Sequence, residues 1–197
     1  YLKIILSMSG AAFIVTLSGM LLLQFSTTLI GFFLSLEFVS LVAIPILIFN
    51  SITPFFQALP TISGPIAAGI SNTQDKKELF EKFKIWTKYT MSVSIIAFLG
   101  ILILGNTLLN FWLGGEKVSS DDIYVMITVL TIIFFAYSIS SIAPLARSIS
   151  LAVGLHWKSS IIEITTSIVG IFVGSILLLT SDFGVYGMAI GISMALI

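Results

Sequence analysis

No charged residue interrupts the chain between Ile4 and Leu36, or again between Phe38 and Gln74. Each run exceeds the ~20 residues with which a helix crosses a hydrocarbon core about 30 Å thick, so each predicts one transmembrane helix with an overhanging or tilted end. Gly31, Ser35 and Glu37 interrupt the aliphatic pattern between them and predict a short turn. The second run carries Pro45, Pro54, Pro60 and Pro65. Each proline removes a backbone donor and favours a bend. Carbonyls freed in hydrocarbon need partners, which predicts a bent second helix turned toward other helices or a wet cavity rather than toward lipid.

From Ser71 to Lys88 the pattern turns polar. Leu79, Phe80 and Phe83 fall among charges, Glu78 and Lys82 sit at i,i+4, and Asp75 lies near the start. This is the pattern of an amphipathic interfacial helix that begins after Asn72 or Thr73 and leads straight into a third span. That span closes on Trp112, suited to an interfacial aromatic belt, and on Gly114-Gly115, which stop the helix. Beyond the loop Glu116 to Asp122, a fourth span carries Pro144 and Arg147 at its far end, and a turn follows around Gly154, His156 and Trp157. A fifth span contains Gly170 and Gly174. Asp182-Phe183-Gly184 makes a tight turn into a sixth, with Gly187 and Gly191. Both glycine pairs have the GxxxG spacing that lets helices approach closely. The predicted spans are 4–34, 38–70, 85–113, 123–150, 159–181 and 185–197, giving an all-α polytopic membrane helix bundle. Tyr1 is not an initiator methionine and Ile197 falls within an apolar stretch, so a piece of a longer chain, forming one domain, is expected.

Charge orients the bundle. Lys3, the group Lys76, Lys77, Lys82, Lys84 and Lys88, and then Arg147 and Lys158 occupy alternate gaps, while Glu37, Glu116, Asp121, Asp122 and Asp182 occupy the others. Only Lys117 dissents. Cytoplasmic loops retain Lys and Arg, so the basic gaps are expected inside. Composition agrees: 57% of residues are hydrophobic and 9% charged, with mean hydropathy +1.14, against about 25% charged in an ordinary soluble domain. A formal net charge of +0 gives no electrostatic basis for a nucleic-acid partner, and the basic cluster from Lys76 to Lys88 suits anionic headgroups. The absence of cysteine excludes disulfides and thiolate metal sites, and one histidine leaves little for zinc. No metal or cofactor is expected.

Four features carry a resemblance when taken in order: the proline-bearing second helix closing on Ile62-Ser63-Gly64-Pro65-Ile66-Ala67, the charged amphipathic segment Asp75 to Lys84, the helix end Leu109-Asn110-Phe111-Trp112-Leu113-Gly114, and the small-residue turn Phe183-Gly184-Val185-Tyr186-Gly187-Met188-Ala189-Ile190-Gly191. Over nearly the whole chain this order resembles the multidrug/oligosaccharidyl-lipid/polysaccharide exporter superfamily, and within it the polysaccharide flippases of the O-antigen type. The resemblance implies the C-terminal six-helix lobe of a two-lobed transporter, partnered by the N-terminal lobe of the same full-length chain, in the cytoplasmic membrane of a bacterium or archaeon. It implies movement of an undecaprenyl-diphosphate-linked oligosaccharide to the outer leaflet by ion-coupled alternating access. Unaided, such a headgroup would lose several kcal/mol or more per dehydrated group. Relatives hold cations in the cavity that meet the diphosphate. Here no Lys or Arg falls at mid-depth in any predicted span, so the cationic site belongs to the other lobe or the substrate is met near the cytoplasmic mouth by Arg147, Lys158 or Lys88.

Each candidate has a plainer alternative. Arg147 offers a bidentate fork for a diphosphate, or anchors a helix end. Glu163, an acid about one turn inside a span, is a candidate for ion coupling, or pairs with Lys158 or Arg147. His156 could serve proton coupling, or be an interfacial loop residue. Gln24, with Ser26, Thr27 and Thr28, could line a cavity and bind sugar hydroxyls, or bond its own helix. Asn50, Ser51, Thr53 and Gln57, between the proline bends, favour cavity lining. No phosphate-binding loop, paired acids or nucleophile with a histidine partner is present, so an enzyme is not expected. A drug/cation antiporter of the same superfamily, or a membrane glycosyltransferase or ligase, are the competing readings.

Overall fold

The computed structural model describes residues 2–72, 76–113, 118–180 and 183–197, with the backbone alone for 2–5, 71–72 and 76. The expected helix start near Asp75, the glycine stop at Gly114-Gly115, Glu116, the dissenting Lys117 and the turn residue Asp182 lie outside the described residues. Among those described, every element is helical: α1 (Leu2–Met20), a π-helical turn (Leu21–Phe25), α2 (Ser26–Phe33), α3 (Leu36–Asn72), α4 (Lys76–Leu113), α5 (Ser120–Ser140), α6 (Ile142–Ala152), α7 (His156–Leu179) and α8 (Gly184–Leu196). Five stretches are long and apolar enough to cross a membrane: Leu6–Phe33, Leu36–Ile70, Lys77–Leu113, Ser120–Ser140 and His156–Leu179. The protein is an all-α, multi-pass membrane helix bundle. α6 and α8 are apolar but shorter.

α3 covers the predicted second span as one helix through all four prolines. The elements differ from the sequence expectations in two places. The amphipathic segment is not a separate interfacial helix, because α4 runs 38 residues without a break. At 1.5 Å per residue that is about 57 Å, far beyond the hydrocarbon thickness, and the charged first turns are the end that leaves the apolar layer. The predicted fourth span, 123–150, is two helices. Pro144 belongs to the first turn of α6, where its missing N–H is tolerated. Immediately before it, Ser138 Oγ donates to the Phe135 carbonyl (2.7 Å) and Ser141 Oγ to the Ser138 carbonyl (3.1 Å).

Helix ends follow local chemistry. Ser119 caps α5, accepting the Asp122 N–H at 3.1 Å, with Asp121 and Asp122 in the first turn where the helix dipole favours acids. α6 ends at Gly154, φ +83°, with Leu155 N–H bonded to Ser150 O (2.8 Å) and Gly154 N–H to Leu151 O (3.2 Å). This is a Schellman termination, whose left-handed residue glycine adopts without steric penalty.

α5 is the axis of the bundle: 56% of its apolar stretch is buried, against a third or less in the other four. Met126, Leu130, Ile133 and Phe134 are enclosed, and the Phe134 and Tyr137 rings meet Phe49 edge-to-face at 5.5 and 5.3 Å. Large side chains such as Phe13, Phe55, Ile103 and Phe111 point outward, as a surface solvated by acyl chains permits. In lipid the apolar surface itself gives no driving force for association, so close packing and interhelical hydrogen bonds hold the bundle. α7 and α8 are antiparallel, and their GxxxG pairs face each other. A Cβ on Gly191 would fall 2.5 Å from Gly174 Cα, and one on Gly187 2.6 Å from the Leu177 carbonyl carbon. Among the described residues, three serine hydroxyls donate to backbone carbonyls of another helix: Ser148 Oγ to Pro60 O (2.6 Å), Ser160 Oγ to Ala11 O (3.0 Å) and Ser193 Oγ to Ile132 O (3.3 Å).

Candidate functional site

The first helix does not run evenly into its second half. Leu21–Phe25 forms a π-helical turn, which inserts an extra residue into the helix and changes the direction of the side chains that follow; such turns are frequent at functional sites. Ser26 Oγ bonds to the Leu22 carbonyl, and the hydroxyls of Thr27 and Thr28 both donate to Gln24 O, at 2.7 and 3.0 Å. Alongside, between this turn and α3, opens a cleft of about 510 Å³. Gln24 and Thr27 line one wall and Asn50 and Ser51 the other, with Gly19 and Leu47 also among the lining residues.

The hydroxyl donors here are already committed, since Thr27 bonds its own helix and Ser51 Oγ donates to Leu47 O at 2.8 Å. The amides are not. Among the described residues neither the Gln24 nor the Asn50 side chain has a hydrogen-bond partner, and both residues are exposed. Each primary amide offers two donors and an acceptor. Such groups inside membrane spans are costly against hydrocarbon, so the cleft suits water or a polar ligand. None of its lining residues is charged, which fits hydroxyl-rich groups better than a diphosphate.

Sequence candidates from different helices thus converge: Gln24 and Asn50 share one cleft. Gln57 does not line it. It is exposed two turns farther along α3, and its carbonyl accepts the Thr61 hydroxyl at 2.7 Å. Thr53 Oγ1 is turned to Phe49 O at 2.6 Å.

The cationic candidates are elsewhere. Arg147 of α6 forms an ion pair with Glu163 of α7, with side chains 34% and 23% exposed. This selects Arg147 over Lys158 as the partner of the acid. The pairing also offsets the charge that a diphosphate would require of Arg147. Among the described residues, the second carboxylate oxygen, Glu163 Oε2, and the hydroxyl of Tyr137 are buried without a hydrogen-bond partner. Lys158 and Lys88 are exposed, and neither ammonium group has a bonded partner among the described residues. His156 is not in a loop but begins α7. Its Nε2 lies 3.2 Å from Ser7 Oγ, which also accepts the Trp157 indole N–H at 2.7 Å. The histidine and tryptophan therefore dock α7 on α1.

Comparison with protein families, curated proteins and solved structures finds no match. The site rests on its own geometry. The π turn and the buried Tyr137 hydroxyl were not anticipated from sequence. The closest signal for the first was the polar group Gln24, Ser26, Thr27 and Thr28; for the second there was none.

Proposed function

We propose that this chain is a lobe of a membrane transporter that moves a lipid-linked oligosaccharide, of the polyprenyl-diphosphate type, from the cytoplasmic to the outer leaflet. The observation that carries the reading is the uncharged cleft between two membrane-spanning helices, mostly apolar but with the unpaired amides of Gln24 and Asn50 on facing walls. Sugar hydroxyls are both donors and acceptors, and two amides placed across an open cleft can exchange hydrogen bonds with them while other helices supply shape. A wet, walled path removes most of the dehydration cost of carrying such a headgroup through hydrocarbon. Alternating access against a second, N-terminal lobe would expose the cleft to each side in turn, and the Arg147–Glu163 pair, close to the basic ends of the helices, is the candidate for ion coupling. The diphosphate charge would be met by that other lobe or by Lys158 and Lys88 at the cytoplasmic mouth.

Deletion of the full-length gene should abolish or shorten the surface polysaccharide, and the wild-type gene should restore it. Complementation with Gln24→Leu/Asn50→Leu, which keeps volume but removes the amides, should fail while the protein is still inserted and folded. Surface polysaccharide of normal amount and length in the deletion strain, with no other exporter substituting, would end this reading. Dye efflux that follows a sodium or proton gradient would replace it with a drug/cation antiporter.

A further inference from the structure

The prolines inside α3 each withhold an N–H from the carbonyl four residues earlier, and the fold decides where those carbonyls lie. Pro45 and Pro60 are buried, and so are Leu41 and Phe56, whose carbonyls they leave. Pro65 leaves the carbonyl of Thr61, nearer the polar end of the helix and not among the residues that line the cleft. Pro54 is different. It is exposed, stands eighteen residues from either end of α3 (Leu36–Asn72), and leaves the carbonyl of Asn50. That carbonyl belongs to the peptide unit joining Asn50 to Ser51, and both residues line the α1–α3 cleft. In an α-helix it would point along the axis at the N–H of residue 54; a proline ring stands there instead, offering no donor and pressing against the oxygen. The nearby hydroxyls go elsewhere, Ser51 Oγ to Leu47 O (2.8 Å) and Thr53 Oγ1 to Phe49 O (2.6 Å). Among the described residues no side chain donates to the Asn50 carbonyl.

We propose that Pro54 is a specificity-determining residue: by withholding its N–H it keeps the main-chain carbonyl of Asn50 as a fixed acceptor in the cleft, which selects a ligand that presents a hydroxyl there. This rests on the transport reading above and deepens it. The amides of Gln24 and Asn50 each carry two donors and an acceptor and can turn to suit either kind of partner, so by themselves they discriminate weakly. A main-chain carbonyl only accepts, and the helix holds its direction. Hydrocarbon around the middle of a span offers no donor to replace a missing one. A ligand whose hydroxyl is capped as a methyl ether therefore leaves this oxygen unpaired, and sites built on hydrogen bonds discriminate most strongly in that situation.

The test uses the full-length protein and two fluorescent probes, a polyprenyl-diphosphate disaccharide and the same molecule with its sugar hydroxyls methylated, measured by equilibrium binding in detergent and by flipping in proteoliposomes. Wild-type protein should prefer the free-hydroxyl probe in both. Pro54→Ala returns the N–H to the Asn50 carbonyl; it should raise the temperature of thermal unfolding, as expected of a proline removed from a helix interior, yet lower that preference about tenfold, the worth of one such hydrogen bond. Pro54→Leu restores the same N–H and serves if the alanine variant does not insert. Replacement of Pro54 by pipecolic acid, a ring homologue that also lacks the N–H, should keep the wild-type preference, which separates the missing donor from the loss of the ring alone. An unchanged preference in Pro54→Ala, or equal loss with alanine and with pipecolic acid, would overturn the proposal. So would a Pro54→Ala defect confined to sodium or potassium dependence, which would make the carbonyl a cation ligand. Hydroxyl preference in binding that Pro54→Ala abolishes, in a protein that flips neither probe, would preserve the role of Pro54 and discard the transport reading alone. Flipping by Pro54→Ala with its hydroxyl preference intact would do the reverse.

Discussion

At the scale of single residues, the Arg147–Glu163 pair decides how much charge the bundle carries near the basic ends of its helices. Its side chains are neither open nor fully enclosed, so breaking it belongs between an exposed pair, worth about 1 kcal/mol or less, and a buried one, about 3–5 kcal/mol. Glu163→Gln and Arg147→Gln should each lower stability by about 1–3 kcal/mol, read from thermal unfolding in detergent. The double variant should be no worse than the poorer single one, because the interaction is lost only once. Strictly additive losses would show that the two groups do not act as a pair. If Glu163 also couples transport, Glu163→Gln should stop flipping while the protein stays inserted, and normal flipping across a range of external pH would leave it a structural partner of Arg147. Gly64 supplies a second residue-scale prediction. An added Cβ would fall 2.7 Å from Ser148 Oγ, the hydroxyl that bonds Pro60 O. Gly64→Ala should therefore cost about 1 kcal/mol through that bond, and Gly64→Ala in a Ser148→Ala background should cost measurably less.

At the scale of elements, glycine has opposite roles in different helices. Between α7 and α8 it permits contact of backbones, and Gly170, Gly174, Gly187 and Gly191 each leave less than 3 Å for a Cβ. Gly191→Leu should force the helices apart and cost about 3 kcal/mol or more, beyond the usual overpacking range of about 1–3 because backbone rather than a flexible side chain is in the way. Gly100, on α4, meets nothing within 4 Å of an added Cβ. Gly100→Ala should stabilise α4 by up to about 1 kcal/mol through helix propensity alone. Finding the same sign for both substitutions, in thermal unfolding of the detergent-solubilised protein, would contradict this division. The GxxxG spacing in each helix was legible in sequence. That the two pairs would face one another followed from the shortness of the connection in sequence between Leu179 and Gly184, which makes neighbours in sequence neighbours in space.

At the scale of the whole molecule, the alternation of basic and acidic gaps predicts which helix ends share a side. Ser120, at the start of α5, and Lys82, in the charged first turns of α4, are both exposed, and neither side chain takes part in a hydrogen bond or ion pair among the described residues. A single cysteine at Ser120 should react with an impermeant maleimide added to intact cells, and one at Lys82 only after permeabilisation. The opposite pattern would invert the topology. The 38-residue length of α4 adds that its first turns stand clear of the hydrocarbon, so labelling at Lys82 in permeabilised cells should be as fast as at a soluble site.

What the sequence by itself determined is the class of the molecule and the order of its spans. Apolar length, sparse charge and glycine spacing are properties of the chain read along one dimension, and hydrocarbon imposes the same demand on every segment that enters it: satisfy the backbone within a helix. The polar candidates Gln24 and Asn50, and the need of Glu163 for a basic neighbour, were legible for the same reason, since an unpaired polar group in a span is anomalous wherever it sits. Tertiary structure alone decided which of these groups meet. It placed Gln24 and Asn50 across one cleft, left Gln57 outside it, and gave Glu163 to Arg147 and not to Lys158. Those choices depend on the rotation and approach of helices packed by shape, through a π turn and a break at Ser141 that hydropathy does not register. In a solvent as apolar as the side chains themselves, hydrophobicity selects the span but not its neighbour; the fit of small residues and the pairing of polar ones do that.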